Sequence, residues 1–282
     1  WYAFPDEMAV LVVNSLTERN LSGDALIAYT QNRFAYSMAL HVCRQNLEAL
    51  GMPPERVRGT ETLPDLAPHA LNADQGLVLL YRLLQRVPET LSLEALRETC
   101  ASSELDALYA RHFGIVPPSE RPRMFPMRGP LLFGIAESER ARLFPEAVET
   151  GDWIQAGNLM NIGHDGDRRA RKQGQACSVD ISDRALARMA AERIPIEQCP
   201  GVYGASTPAL DALVDAAIGG GACGACLTGA GLGGSVLALC SAMDAPRLAE
   251  RLKQTIASPE YAMLAGAPAP FPGARVRDCV VV

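Results

Sequence analysis

Thr228-Gly-Ala-Gly-Leu-Gly-Gly234 puts four glycines into seven residues, and the apolar runs on either side, Ala225-Cys-Leu-Thr228 and Ser235-Val-Leu-Ala-Leu239, read as strands. A stretch built this way has few conformations open to it. Its glycines admit positive φ, so the pattern predicts a tight turn between two paired strands, with backbone N–H groups that a bound anion can approach without side-chain obstruction. Taken literally, Gly229, Gly231 and Gly234 satisfy G-x-G-x-x-G. The dinucleotide fingerprint, however, opens a helix and has an acidic ribose partner about twenty residues on. Here the glycines lead into a strand-like run, so that reading fails on context, and no G-K-[ST] follows to make a Walker A loop. A hairpin whose glycines serve geometry alone is the other reading of the same residues.

The rest of the chain supplies helices and few strands. Val10-Leu-Val-Val-Asn14 reads as a strand, and the spacing predicts a long helix from Leu26 to Leu50, closed by Gly51 and Pro53-Pro54. Its apolar stripe runs Ile27, Phe34, Met38, Val42, while Tyr29 and Arg33 are i, i+4 neighbours on another face. Further helices are expected over 74–87, 93–110, 134–149 and 152–161, with a loop between Gly114 and Pro130, where five prolines and two glycines fall. Ser206-Thr-Pro208 opens another helix, with a capping hydroxyl and a proline in the first turn, and Gly219-Gly-Gly221 ends it. A helix over 245–257 and a last strand over 276–282 complete the order. Strands and helices that do not alternate as β-α-β units argue for an α+β fold, an antiparallel sheet packed with helices, over a doubly wound sheet.

Composition excludes several classes. A net charge of −6 over 282 residues gives no general attraction for nucleic acid or anionic lipid. No apolar run reaches the roughly eighteen residues a membrane helix needs. Eight scattered cysteines suit a reducing cytoplasm better than a disulfide scaffold. Cys223-Gly-Ala-Cys226 is one C-x-x-C, but it lacks the second pair or the paired histidines of a zinc site and reads as small buried residues. His164-Asp-Gly-Asp167 reads as capping and turn chemistry in a loop, with no metal expected, and the basic run Arg168-Arg-Ala-Arg-Lys172 as a solvated loop. Asp180–Arg193 reads as a helix.

The segment Leu227-Thr-Gly-Ala-Gly-Leu-Gly-Gly-Ser-Val-Leu-Ala-Leu239 closely resembles the third motif of the GHMP sugar kinases, above all their galactokinase branch. Other stretches resemble that branch in the same order: Val10–Ser15 with Asn20-Leu-Ser22, Tyr29-Thr-Gln-Asn-Arg33, Ala136-Glu-Ser-Glu-Arg140, Gly157-Asn-Leu-Met-Asn161 with His164-Asp165, and Ser206-Thr-Pro-Ala-Leu-Asp211. Asn32 stands where the family has the first of two arginines. The resemblance covers only the family's second half, so residues 1–282 are expected to be a C-terminal region, with 168–205 an insertion the family usually lacks. It implies an ATP- and Mg²⁺-dependent transfer of the γ-phosphate to the 1-hydroxyl of galactose or a related pyranose, such as N-acetylgalactosamine or arabinose. The catalytic aspartate and arginine, the Mg²⁺ ligands and the first phosphate loop are expected upstream of Trp1, so the chain alone is expected to be inactive. Two elements carry over by resemblance: Tyr29 as a sugar contact, and Thr228, Gly229, Ala230, Gly231, Leu232, Gly233 and Gly234 as the loop that closes over the phosphates. The expected partners are a sugar and ATP, with no nucleic acid or membrane, in a cytoplasmic protein whose oligomeric state the sequence leaves open, a monomer being favoured. A sugar- and ATP-binding sensor without catalysis is the alternative function, and a free-standing interaction module a third.

Overall fold

The computed structural model describes residues 4–17, 23–72, 74–100, 102–169, 179–266 and 279–281. The chain begins with β1 (Met8–Asn14), α1 (Gly23–Ala49), α2 (Pro54–Arg58), α3 (Pro68–Leu71) and α4 (Gly76–Arg86). Then come β2 (Thr90–Ser92), α5 (Leu93–Thr99), α6 (Ser102–Phe113), β3 (Met124–Pro126), α7 (Arg128–Glu149), α8 (Trp153–Asp167) and α9 (Asp183–Glu192). The last elements are α10 (Pro208–Gly219), β4 (Gly224–Thr228), β5 (Ser235–Ser241), α11 (Ala245–Ile256), α12 (Pro259–Leu264) and β6 (Cys279–Val281). They form two compact units, one of Trp1–Leu21, Arg140–Cys177 and Gly204–Val282, the other of Ser22–Glu139 and Ser178–Tyr203.

The first unit is built on a sheet of order β4-β5-β1-β6 in which every described pair is antiparallel, so the expected α+β class holds. Side chains alternate along a strand. Ala9, Leu11 and Val13 of β1 therefore join the core under α10, α11 and α12, while Met8 and Val10 pack on the opposite side with Phe144, Ala147, Trp153 and Ala156. The sheet is thus covered on both faces. Thr207 caps α10 by accepting the Leu210 N–H, with Pro208 at the first helical position, as the sequence predicts. Tyr261 of α12 donates its hydroxyl to the Ser15 carbonyl at 2.7 Å, which fixes the chain just beyond β1. Burial pushes that phenol above the usual tyrosine range.

The second unit is helical around the Phe34 stripe of α1, where Phe34 lies in van der Waals range of Phe113 and Phe125, with ring centroids 5.6 and 4.6 Å away. Arg128, 4% exposed, ties the unit together by donating to the carbonyls of Val87, Ile181 and Gln85 and pairing with Asp183 at 2.7 Å.

Several expectations need correction. The helix expected over 93–110 is two, because Cys100 adopts extended backbone (φ −114°, ψ 150°) after α5. The proline-rich 114–130 stretch contains β3, paired with β2, and α7 begins inside it at Arg128. Pro130 lies in the first turn of α7, where a missing N–H costs no helical bond. Helix α8 runs on to Asp167, so His164–Asp167 is helix and not loop. Arg168 does not lie in a solvated loop, since only 12% of its side chain is exposed and carboxylates surround it. Within the basic run, 170–172 lie outside the described residues, as do 20–22 and, for the last strand, 276–278 and 282. The helix read over 180–193 is α9.

Candidate functional site

Between β4 and β5 the predicted turn is present, and its backbone explains its composition. Gly229, Gly231, Leu232, Gly233 and Gly234 have φ of 80°, 71°, 60°, 125° and 90°, leaving Ala230 the one residue of negative φ. Four of the five left-handed positions are glycine, which has no Cβ to clash. Leu232 accepts the conformation because its side chain is buried, 7% exposed, and its N–H is bonded to the Ala205 carbonyl at 2.8 Å. At Gly231 a Cβ would lie 2.2 Å from that same carbonyl oxygen, so only glycine fits there. The far end of the turn is held from β1's side: Ser15 N donates to Gly234 O at 2.8 Å and Gly234 N to Thr17 O at 3.3 Å. The Ser15 and Thr17 hydroxyls meet at 2.6 Å.

Pinned at Leu232 and Gly234, the turn leaves the N–H groups of Gly229, Ala230, Gly231 and Gly233 without an acceptor among the described residues. A negative-φ residue followed by left-handed ones is the arrangement in which successive N–H groups can share one anion. The chemistry on offer is neutral donation to phosphate-like oxygens, with no proton to give and no nucleophile.

Behind the turn, strand β4 is an edge, and helix α8 closes it with side chains. Ala225 N donates to Asn161 Oδ1 at 2.9 Å and Leu227 N to His164 Nδ1 at 3.3 Å, the alternate N–H groups that face away from β5. Asn161 and His164 are i, i+3 neighbours on one face of α8. Gly157, one turn earlier, lets the helix come this close, since a Cβ there would lie 2.0 Å from the Cys223 carbonyl oxygen. His164 Nε2 stands 3.1 Å from Asp211 Oδ1, which also accepts the Ser206 hydroxyl at 2.6 Å. Arg168 faces Asp165, Asp215 and Asp211 at 3.0, 2.9 and 3.7 Å. Burial works against its charge, but the carboxylates Asp211, Asp215 and Asp165 outweigh it and hold the guanidinium above its usual pKa.

Tyr29 is half-buried on α1 in the second unit, with the Arg33 guanidinium 5.8 Å from its ring centroid, while the glycine turn belongs to the first unit. Asn32 is 8% exposed and donates its amide to the Tyr203 carbonyl. Its role is therefore to hold the 201–203 segment of its own unit. Glu139, from the Ala136–Arg140 stretch, lies 3.5 Å from His69.

Cys223 and Cys226 are half-buried, and burial raises the Cys223 thiol. Among the described residues no group of three or more His, Cys, Asp or Glu side chains could hold a metal ion, and no helix is long and apolar enough to cross a membrane. Sequence reasoning quoted Gly157 within a family-like segment without its packing role, and missed the roles of Arg168 and of the Ser15–Thr17 clamp. Of the last two only the Asp165–Arg168 pair, three residues apart, left a local signal.

Residues 184–258 match the family model described as GHMP kinases C terminal, a span that includes α10, β4, the glycine turn and β5. The match begins at Arg184, inside the stretch 168–205 that was expected to be an insertion. No curated protein matches the chain. Among solved structures, the crystal structure of Lactococcus lactis galactokinase complexed with galactose is similar at a TM-score of 0.43 and 15% identity, over 93% of this chain and 43% of that one. The chain thus spans less than half the length of that galactokinase.

Proposed function

From the match of residues 184–258 to the family model described as GHMP kinases C terminal, we propose that the chain is the C-terminal portion of an ATP-dependent sugar 1-kinase, one that phosphorylates the anomeric hydroxyl of galactose or a related pyranose. The observation that carries this reading is the glycine turn, with four N–H groups unclaimed by any described residue and no side chain over the left-handed positions except the buried Leu232. Backbone donors fixed before the ligand arrives suit phosphate oxygens, whose charge they can meet without reorganising.

In this reading Thr228–Gly234 closes over the phosphates of ATP, and Tyr29 offers its hydroxyl to the sugar. ATP supplies the transferable phosphoryl group. The turn's part is to orient the phosphates and exclude water from their flank, work of the positioning and electrostatic kind that dominates phosphoryl transfer. The Mg²⁺ ligands are expected outside this chain, so no step is assigned to the ion here. The chain alone is expected not to transfer phosphate.

The test is an ADP-release assay on the complete protein that contains this chain, with Mg-ATP and a panel of galactose, N-acetylgalactosamine and arabinose. Turnover giving a sugar 1-phosphate, reduced at least tenfold by Gly231→Ala, is the expected result. Sugar and nucleotide binding without turnover would refute the kinase and leave a sensor. Turnover by the 282-residue chain alone would overturn the assignment of catalysis to residues outside it.

A further inference from the structure

Besides the Ser15–Thr17 segment at Gly234, two backbone segments hold the glycine turn: β4, which delivers Thr228 into it, and the Gly204–Ser206 segment, whose Ala205 carbonyl takes the Leu232 N–H. One side chain reaches toward both. His164 Nδ1 accepts from Leu227 N at 3.3 Å, and its Nε2 stands 3.1 Å from Asp211 Oδ1, the oxygen that takes the Ser206 hydroxyl at 2.6 Å. An amide N–H can only donate, so Nδ1 carries no proton; an ionised carboxylate can only accept, so Nε2 carries the ring's proton. These partners select one neutral tautomer. The residue is 1% exposed, so water does not replace either partner. Arg168 also faces Asp211, at 3.7 Å, and meets Asp165 and Asp215, so the same carboxylate is held from a second side.

The geometry points to His164 as the positioning residue of the glycine turn. It is a brace that couples the strand entering the turn to the segment holding its centre, through Asp211 and Ser206, and so sets the geometry in which the turn meets phosphate. That last clause rests on the phosphate-facing reading of the turn, whereas the brace rests on the hydrogen bonds alone. His164 touches no ligand in this scheme. A histidine that merely filled space beside β4 would give a different result: losing either ring nitrogen would loosen the whole unit evenly.

Amide hydrogen exchange on the ¹⁵N-labelled 282-residue chain separates the two, with the β1–β5 ladder amides as the internal measure of global unfolding. His164→Asn keeps an acceptor near the Nδ1 position but falls short of Asp211. Relative to the ladder, it should speed exchange at Leu232 about tenfold while Leu227 stays within about twofold, the size expected for one net hydrogen bond. His164→Gln keeps a donor near the Nε2 position and should do the reverse. Ser206→Ala, which removes one hydroxyl and leaves the ring in place, should loosen Leu232 alone. Equal rises at both amides in every variant, or no rise beyond the ladder at either, would overturn the brace. The same samples titrated with Mg-ATP, read at the Gly229, Gly231 and Gly233 amides, should show weaker binding in all three variants. Wild-type glycine amides that do not respond to Mg-ATP would refute the phosphate reading of the turn, and the exchange pattern would still decide the role of His164.

Discussion

Gly231→Ala and Gly229→Ala place the same methyl group on the same turn, and the structure predicts very different costs. Both glycines are left-handed, at φ +71° and +80°. Forcing alanine there costs about 1–2 kcal/mol, of which about 0.4–1 kcal/mol returns because the unfolded chain loses freedom. At Gly229 nothing lies within 4 Å of the new Cβ, so the net cost stops at about 1 kcal/mol. At Gly231 the Cβ meets Ala205 O at 2.2 Å and Ala205 Cβ at 2.8 Å. That residue cannot simply retreat, since its carbonyl holds Leu232 N at 2.8 Å, its N–H reaches Asp167 Oδ1 at 3.4 Å, and Ser206 N next to it donates to Asp167 O at 2.8 Å. Displacing it breaks the Leu232 bond and strands a buried N–H, adding about 2–4 kcal/mol. Gly231→Ala should therefore cost about 3–5 kcal/mol against ~1 for Gly229→Ala. Trp153, on α8, belongs to the unit that carries the turn, so its fluorescence during urea unfolding reports that unit. With a slope of about 1–3 kcal/mol per molar urea, the two midpoints should differ by about 0.7 M or more. Midpoints within about 0.3 M of each other, at equal slope, would refute the claim that Ala205 makes Gly231 irreplaceable.

Other consequences are testable in the same preparation. Gly157→Ala should lower stability by about 3 kcal/mol or more, because its Cβ would press on the Cys223 carbonyl at 2.0 Å and push α8 off β4; an unchanged midpoint would contradict that close approach. Arg168→Met should cost about 2–3 kcal/mol by leaving Asp211, Asp215 and Asp165 facing one another without their cation, and a urea midpoint unchanged in the variant would contradict that. Burial raises the Tyr81 and Tyr261 phenols above their usual range, so above pH ~10 the unfolded chain loses protons that the native state keeps. Stability should then fall with rising pH by about 1.4 kcal/mol per unit for each tyrosine, and Tyr261→Phe should flatten that slope by one such increment. A slope unchanged in the variant would mean that Tyr261 is not the buried phenol the Ser15 contact implies.

What the sequence made legible follows from which interactions are local. The apolar, β-branched run Val10–Asn14, the proline-led cap at Thr207–Pro208 and the glycines at 229–234 each act within a few residues, and each was readable. The face Gly157, Asn161, His164, Arg168 has helical spacing of 4, 3 and 4, but its purpose depends on β4 being an edge, which follows from strand order and not from any window of sequence. Arg168 read as part of a solvated basic run because two of its three carboxylates, Asp211 and Asp215, lie more than forty residues further along. The break at Cys100 had no proline or glycine to announce it. Tyr29 was visible as a side chain off the apolar stripe, and its half-buried place beside Arg33 agrees with that, although nothing local to α1 specifies a sugar.

The covering of β4 by α8 also gives the sheet a direction. A strand's outward amides are ordinarily an invitation to another strand, and here Asn161 and His164 have already answered it at Ala225 and Leu227. Growth on that side would require prising a helix away along the contact that Gly157 makes so close. Among the described residues β6 forms the other margin, and a strand that extends this sheet would enter there. The glycine turn, at the shielded end of the order, stays clear of such additions.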